Sequence, residues 1–218
     1  MSREEKGIVW FDCDGVLTNH RSSWMYLHEY FGSKDNRFFA ELYKEGYISY
    51  LDWMKIDVAL MINSCGRPIL KRDVEEALNR INVKREAINV IKELKERGFI
   101  VGIISSGVDL LVKRVCRIVD SDICLYNELL FINDMLIPGG KANVPLKEKP
   151  RIIREYSIKH RFTLDRVVYI GDSEWDIDVF RIVGLSIAVK PCGDACNYAD
   201  YTIEELSEIL PIIDKHYS

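Results

Sequence analysis

The sequence contains no glutamine, no run of 18 or more apolar residues and no excess of positive charge. Missing glutamine, beside abundant Lys, Glu and Arg, leans towards a thermophilic source and is silent about activity. Without a long apolar run, nothing is expected to span a membrane. A net charge of −4 gives no electrostatic reason to expect a nucleic-acid partner. The opening residues, MSREEKGIVWF, carry charges and then a short apolar stretch without a signal-peptide cleavage pattern, so a cytoplasmic location is expected. The six cysteines (Cys13, Cys65, Cys116, Cys124, Cys192 and Cys196) include no CxxC pair, and no histidine completes a zinc pattern. Reduced, mostly buried thiols are the expectation, although the Cys192–Cys196 spacing also admits metal binding or oxidation.

What is present suits an α/β protein. The 218 residues fit one large domain, or a core of about 150 residues with a small insertion. Short buried apolar runs at 7–11 (GIVWF), 99–104 (FIVGII), 167–170 (VVYI) and 185–189 alternate with stretches of helical periodicity over 84–97, about 108–119, about 149–160 and near 175–182. A hairpin is expected over 125–137 with its turn at Asn133-Asp134, and a short strand and a closing helix at the end. Such alternation builds a Rossmann-like, mostly parallel sheet with helices on both faces. Residues 18–83 break the rhythm. They lack a convincing strand, start helices at Ser22 or Ser23 and at the Ser49/Asp52 capping box, and hold ten of the 23 aromatic residues. The expected organisation is therefore a core domain of residues 1–17 and 84–218 and a small helical cap of residues 18–83; a helical layer packed permanently on the sheet is the alternative.

Ligands of open α/β sheets bind beyond the carboxyl ends of the strands. The residues there are Asp12-Cys13-Asp14-Gly15, Ser105-Ser106-Gly107 and Gly171-Asp172-Ser173-Glu174-Trp175-Asp176, with Lys149 opening the helix before the third of these strands. Each alone reads as a turn, a cap or a surface charge. Together they gather four carboxylates, a hydroxyl and an ammonium at one edge. The glycine of Asp-x-Asp-Gly falls too early for an EF-hand, and the closing Glu is missing. Asp12 and Asp14, two apart on a segment expected to be extended, should point to the same side, and Cys13 inward.

In this order the motifs DCDGVLT, IISSG, Lys149 and GDSEWD resemble those of the haloacid dehalogenase superfamily of aspartate-nucleophile phosphatases, over essentially the whole chain. The insertion after the first motif is similar to the cap of the branch that includes phosphoserine phosphatases. The resemblance implies a Mg²⁺-dependent hydrolase of a small phosphorylated metabolite, acting as monomer or homodimer through a covalent aspartyl-phosphate. It implies Asp12 as nucleophile, Asp14 as general acid and base, and Lys149 as counter-charge. Ser105, Ser106 and Gly107 would bind phosphate. Asp12, Asp14 (through its carbonyl) and Asp172 would hold the metal, with Asp176 supporting them. Three departures from that branch stand out, one being that no cap arginine matches the one that holds the phosphoserine carboxylate. Arg21 replaces the acidic residue that reads a substrate ammonium, which makes it a candidate substrate selector, and Trp175 replaces the usual Asn before the final Asp. A phosphotransferase or mutase, or a catalytically retired metal- and phosphate-binding protein, are the competing readings.

Overall fold

All five residues of the first strand, β1 (Gly7–Phe11), are buried, as a strand flanked on both edges and covered on both faces must be. The computed structural model describes residues 5–33 and 37–217. In it β1 lies at the middle of a seven-stranded sheet with β2 (Phe99–Val108), β3 (Ile123–Ile132), β4 (Met135–Lys141), β5 (Val167–Gly171), β6 (Leu185–Val189) and β7 (Tyr201–Ile203), in the order β4-β3-β2-β1-β5-β6-β7. All neighbouring pairs are parallel except the β3–β4 hairpin, whose turn residues Asn133 and Asp134 both adopt positive φ, as a type I′ turn requires. The chain leaves β1 for β2 on one side and later returns to pair β5 on the other. That reversal opens a crevice at the carboxyl end of β1.

Strand alternation divides the core. Val9 and Phe11 face one way with Val101, Ile103, Val168 and Ile170; Ile8 and Trp10 face the other with Ile104, Val167 and Tyr169. The first face is covered by α5 (Arg85–Glu96), α6 (Asp109–Val119) and α9 (Ile209–His216), the second by α7 (Lys149–Lys159) and the short α8 (Ile177–Phe180). The helix expected near 175–182 is broken. A 3-10 turn over Glu174–Asp176 precedes α8, because Asp176 folds back to accept the Ser173 and Asp172 N–H groups.

Between β1 and α5 lie α1 (Ser23–Tyr30), α2 (Arg37–Glu45), α3 (Tyr50–Cys65) and α4 (Lys71–Asn79). Ser22 caps α1, and the Ser49/Asp52 capping box starts α3 as the sequence suggests. Leu27, Val58, Met61, Ile69, Val74 and Leu78 share one buried cluster with the sheet, and a bridge joins Leu70 to Met135 of β4. A separate aromatic cluster of Tyr43, Tyr50 and Met54, flanked by Trp24, Trp53 and Trp175, lies on the site side. No helix of the described residues is long and apolar enough to cross a membrane.

The cysteines correct the expectation of reduced thiols. Cys116 on α6 is bonded to Cys124 on β3, and Cys192 to Cys196, with Cα separations of 6.2 and 5.3 Å. Cys13 and Cys65 are free. Spacing along the chain carries no information about α6 folding back on β3, which is what brings the first pair together.

Candidate active site

Asp12 follows β1 directly, its N–H donating to the Ile170 carbonyl of β5 at 2.9 Å. Its Oδ1 accepts the Cys13 N–H at 2.7 Å, and its Oδ2 accepts Lys149 Nζ at 2.7 Å. Lys149 is the first residue of α7, yet it is 1% exposed, so the solvated surface charge that its sequence context suggests does not describe it. The same ammonium donates to Asp176 Oδ1 at 2.9 Å and lies 3.2 Å from the Tyr169 hydroxyl.

Asp172 follows β5, and its carboxylate is crowded by the same groups. One oxygen from each of Asp12, Asp172 and Asp176 lies within 4.8 Å of the others. Burial, with Asp12 and Asp176 adding repulsion, pushes Asp172 up to about 8. Burial likewise raises Asp12 to about 7 against the pull of Lys149. Asp176 is buried too, but Lys149 and the Tyr169 hydroxyl hold it below the ordinary carboxylate range. Two carboxylates held near neutrality mark a site with too little positive charge of its own.

A divalent cation fits that deficit. The donors are all hard carboxylate oxygens, of the kind Mg²⁺ prefers. Asp176 belongs to the oxygen cluster, but its oxygens already accept Lys149 Nζ, Tyr169 Oη, the N–H groups of Asp172 and Ser173, and Ser173 Oγ. Asp12 and Asp172 are therefore the side chains with capacity for a metal, and Asp176 orients Lys149 and the loop after β5. Gly15 leaves room here: at φ +73° its place could hold no Cβ, which would stand 2.1 Å from Asp172 Oδ2.

Asp14 sits differently from expectation. The chain turns after Asp12 rather than staying extended, so strand alternation does not place Asp14. Its Oδ2 is instead held by the N–H and Oγ of Ser23 at 2.8 and 2.7 Å, while Oδ1 is buried without a partner. Burial raises its pKa, and the Ser23 bonds only moderate the rise. Cys13 is fully buried in the core, as its position suggests.

Ser105, Ser106 and Gly107 lie in an irregularity of β2, where register with β3 shifts between Ile104 and Val108. They do not open a helix, since α6 starts only at Asp109. Ser105 Oγ accepts the Gly107 N–H at 3.0 Å, and Ser106 Oγ is buried and unpartnered. A Cβ on Gly107 would stand 2.7 Å from Ser23 Oγ, 2.9 Å from Asp14 Oδ2 and 3.1 Å from Ser105 Oγ, so the loop packs closely against Ser23 and Asp14. Arg21 is exposed at the edge, its Nε 3.8 Å from Asp172 Oδ2.

Ser23, Tyr169, Asn127, Trp24 and Tyr50 went unassigned in the sequence reading. Ser23 had a signal: two adjacent serines stand at the start of α1, and only one, Ser22, is needed as its cap. Tyr169 had a weaker one, a phenol inside an otherwise aliphatic buried strand, where its hydroxyl needs a partner. Two surface hollows of ≈ 430 and ≈ 440 Å³, bounded by residues such as Lys95 and His160 or Arg166 and Tyr217, contain none of these groups. Asp12, Ser105 and Asp172 are buried, while Asp14 is half-buried and Arg21 exposed.

Residues 9–181 match the haloacid dehalogenase-like hydrolase family. A phosphoserine phosphatase of Methanocaldococcus jannaschii is 29% identical over 96% of this chain and 99% of its own length. One from Archaeoglobus fulgidus is 28% identical over 61% of this chain and 39% of its own. Among solved structures, a phospho-aspartyl intermediate analogue of phosphoserine phosphatase superposes with a TM-score of 0.79 at 26% identity, covering 96% of this chain and 99% of that one. A substrate-bound phosphoserine phosphatase complex gives 0.80 at 25% identity with the same coverage.

Proposed function

The chain belongs to the haloacid dehalogenase-like hydrolases, and from that premise we propose that it is a phosphoric monoester hydrolase working through a covalent phosphate on Asp12. The observation that carries this reading is the buried Asp12 carboxylate at the sheet's switch point, held by Lys149 and beside a second, high-lying acid, Asp14. An Asp12 oxygen attacks phosphorus and the ester oxygen leaves, taking a proton from Asp14. Asp14 then takes a proton from water as that water attacks the acyl phosphate, and orthophosphate and free Asp12 result. Burial raises the Asp14 pKa, the direction that favours its acid form for the first step. Lys149 offsets charge on nucleophile and phosphate, and Ser105 with the Ser106 and Gly107 N–H groups receives phosphate oxygens. Mg²⁺, held by Asp12, Asp172 and the Asp14 carbonyl, would neutralise the dianion and align it.

The substrate is proposed to be a small phosphate monoester, and the cytoplasm the setting, with the protein a monomer or homodimer. The test is a panel of phosphate esters, phosphoserine among them, assayed with and without Mg²⁺. Release of no orthophosphate from any ester sinks the reading; acceptor-dependent transfer with little free phosphate would favour a phosphotransferase instead.

Residues 18–83 are proposed as a cap. Asp12 and Ser105 are buried, and this segment, inserted directly after β1, is the part proposed to move when an ester binds against them. Structures with and without a phosphate analogue should differ in the position of α1 and α3; identical positions would count against a moving cap. Arg21 is proposed as the selector, since a guanidinium at the mouth repels an ammonium and attracts an anionic leaving group. Arg21→Glu should raise kcat/KM for phosphoserine relative to an anionic ester by about tenfold or more. Because Arg21 stands beside Asp172, both rates are compared at saturating Mg²⁺. An unchanged ratio removes Arg21 from that role.

A further inference from the structure

One peptide oxygen beside the site is gripped from three directions. The Ser106 carbonyl accepts the Tyr50 hydroxyl at 2.7 Å, Asn127 Nδ2 at 2.9 Å and Trp24 Nε1 at 3.2 Å. Asn127 is buried in β3, and its amide is fixed at both ends, since Oδ1 accepts the Val144 N–H and Nδ2 also reaches the Val144 carbonyl. That one bond already satisfies the buried carbonyl. The donors from Trp24 and Tyr50 are additional, and both come from the segment inserted between β1 and β2: Trp24 from α1, Tyr50 from the first turn of α3.

A trans peptide is planar, so its C=O and N–H point in opposite directions. Fixing the Ser106 oxygen therefore fixes the aim of the Gly107 N–H. That N–H points away from Tyr50 and Trp24 and onto Ser105 Oγ. Ladder pairing cannot set this orientation, because the register shift removes Ser105–Gly107 from the β2–β3 pairing. Nor can a helix start, because α6 begins two residues later. Side chains must do it. Tyr50 is held for the task, buried between Tyr43 and Trp53 at ring distances of 5.4 and 5.7 Å.

We propose that Trp24 and Tyr50 are positioning residues that turn the Ser106–Gly107 peptide so that its N–H meets the phosphate, which makes the phosphate loop complete only while the cap is docked. This rests on the reading of Ser105–Gly107 as the phosphate loop. Lifting α1 and α3 removes two of the three donors and frees the peptide to rotate. By linkage, phosphate in the loop then favours the docked cap, so substrate closes the site that will hydrolyse it.

Tyr50→Phe keeps the ring and loses only the hydroxyl; Trp24→Phe keeps an aromatic ring and loses the N–H. Tyr30→Phe, whose hydroxyl meets Glu76 on the exposed side of the same segment, is the control. Amide hydrogen exchange in peptides covering 105–108 is measured without ligand, and orthophosphate affinity by calorimetry with Mg²⁺. Tyr50→Phe should speed exchange and weaken orthophosphate about tenfold, and the double variant about a hundredfold, one hydrogen bond each. kcat/KM should fall in step, with Tyr30→Phe unchanged. Wild-type exchange and orthophosphate affinity in Tyr50→Phe, with only a lower melting temperature, would mean that the bonds merely hold helices in place and would overturn the proposal alone. A wild type that binds no orthophosphate overturns the loop assignment and the proposal with it.

Discussion

Asp12→Asn should lower kcat on the best ester by at least about a hundredfold, as loss of a covalent nucleophile does, without unfolding the protein. Asn has the shape of Asp, and its side-chain oxygen can still accept the Cys13 N–H that now meets Oδ1. Lys149 keeps Asp176 and Tyr169 as partners, so no unpaired buried ammonium is left behind. The lost carboxylate is one that burial already holds near neutrality, at about 7. The fold therefore loses little, and the chemistry loses the atom that forms the bond to phosphorus. The pair of measurements is initial rate and melting temperature at pH 7.5. Residual turnover above about a hundredth of wild type would be hard to reconcile with attack by Asp12, whereas an unfolded variant would show that the Lys149 contact is chiefly structural.

How far the site could be read from sequence differs residue by residue, for physical reasons. Asp12, Asp172 and Lys149 were legible because each stands at the end of an unambiguous apolar strand or the start of a periodic helix, and an α/β sheet brings such ends together. The parallel sheet, the β3–β4 hairpin with its Asn133-Asp134 turn, and the capping box at Ser49 were legible by the same local rules. Asp14 was singled out on a geometric premise that the structure does not bear out. Alternation presumed an extended backbone, but the chain turns and Ser23 does the orienting. The helix-start reading of Ser105–Gly107 failed because serine and glycine next to an apolar run suit a cap and a strand irregularity equally. Trp24 and Tyr50 were legible only as part of an aromatic-rich stretch. Their indole and phenol donors meet the Ser106 carbonyl across separations of 82 and 56 residues, and no periodicity reports such a contact. The Cys116–Cys124 link is invisible for the same reason.

Removal of divalent metal should abolish activity, and it should do so with a signature in stability that activity alone would not give. In metal-free protein, Asp12 and Asp172 are raised to about 7 and about 8 from an ordinary 3.8. The folded state thus holds protons that the unfolded state has released, throughout the interval between the ordinary and the raised values. Stability then falls as pH rises through that interval, until both groups have ionised. Asp176 is displaced the other way, so its titration lies below 3.8 and leaves neutral pH untouched. Mg²⁺ would bind the ionised carboxylates and remove the repulsion between them. The gain in melting temperature on adding Mg²⁺ should therefore be small at pH 6 and grow to several degrees by pH 8–9, for a mid-sized domain with shifts of this order. EDTA should reverse it and stop turnover. Ca²⁺ should give part of the thermal gain but little turnover, because it occupies oxygen ligands without holding the tight octahedral geometry. Thermal melts over a pH series, with Mg²⁺, Ca²⁺ or EDTA, run beside the ester assay, supply both readouts. A melting temperature that ignores Mg²⁺ at every pH, together with full activity in EDTA, would mean that Asp12 and Asp172 face each other for some purpose other than holding a metal.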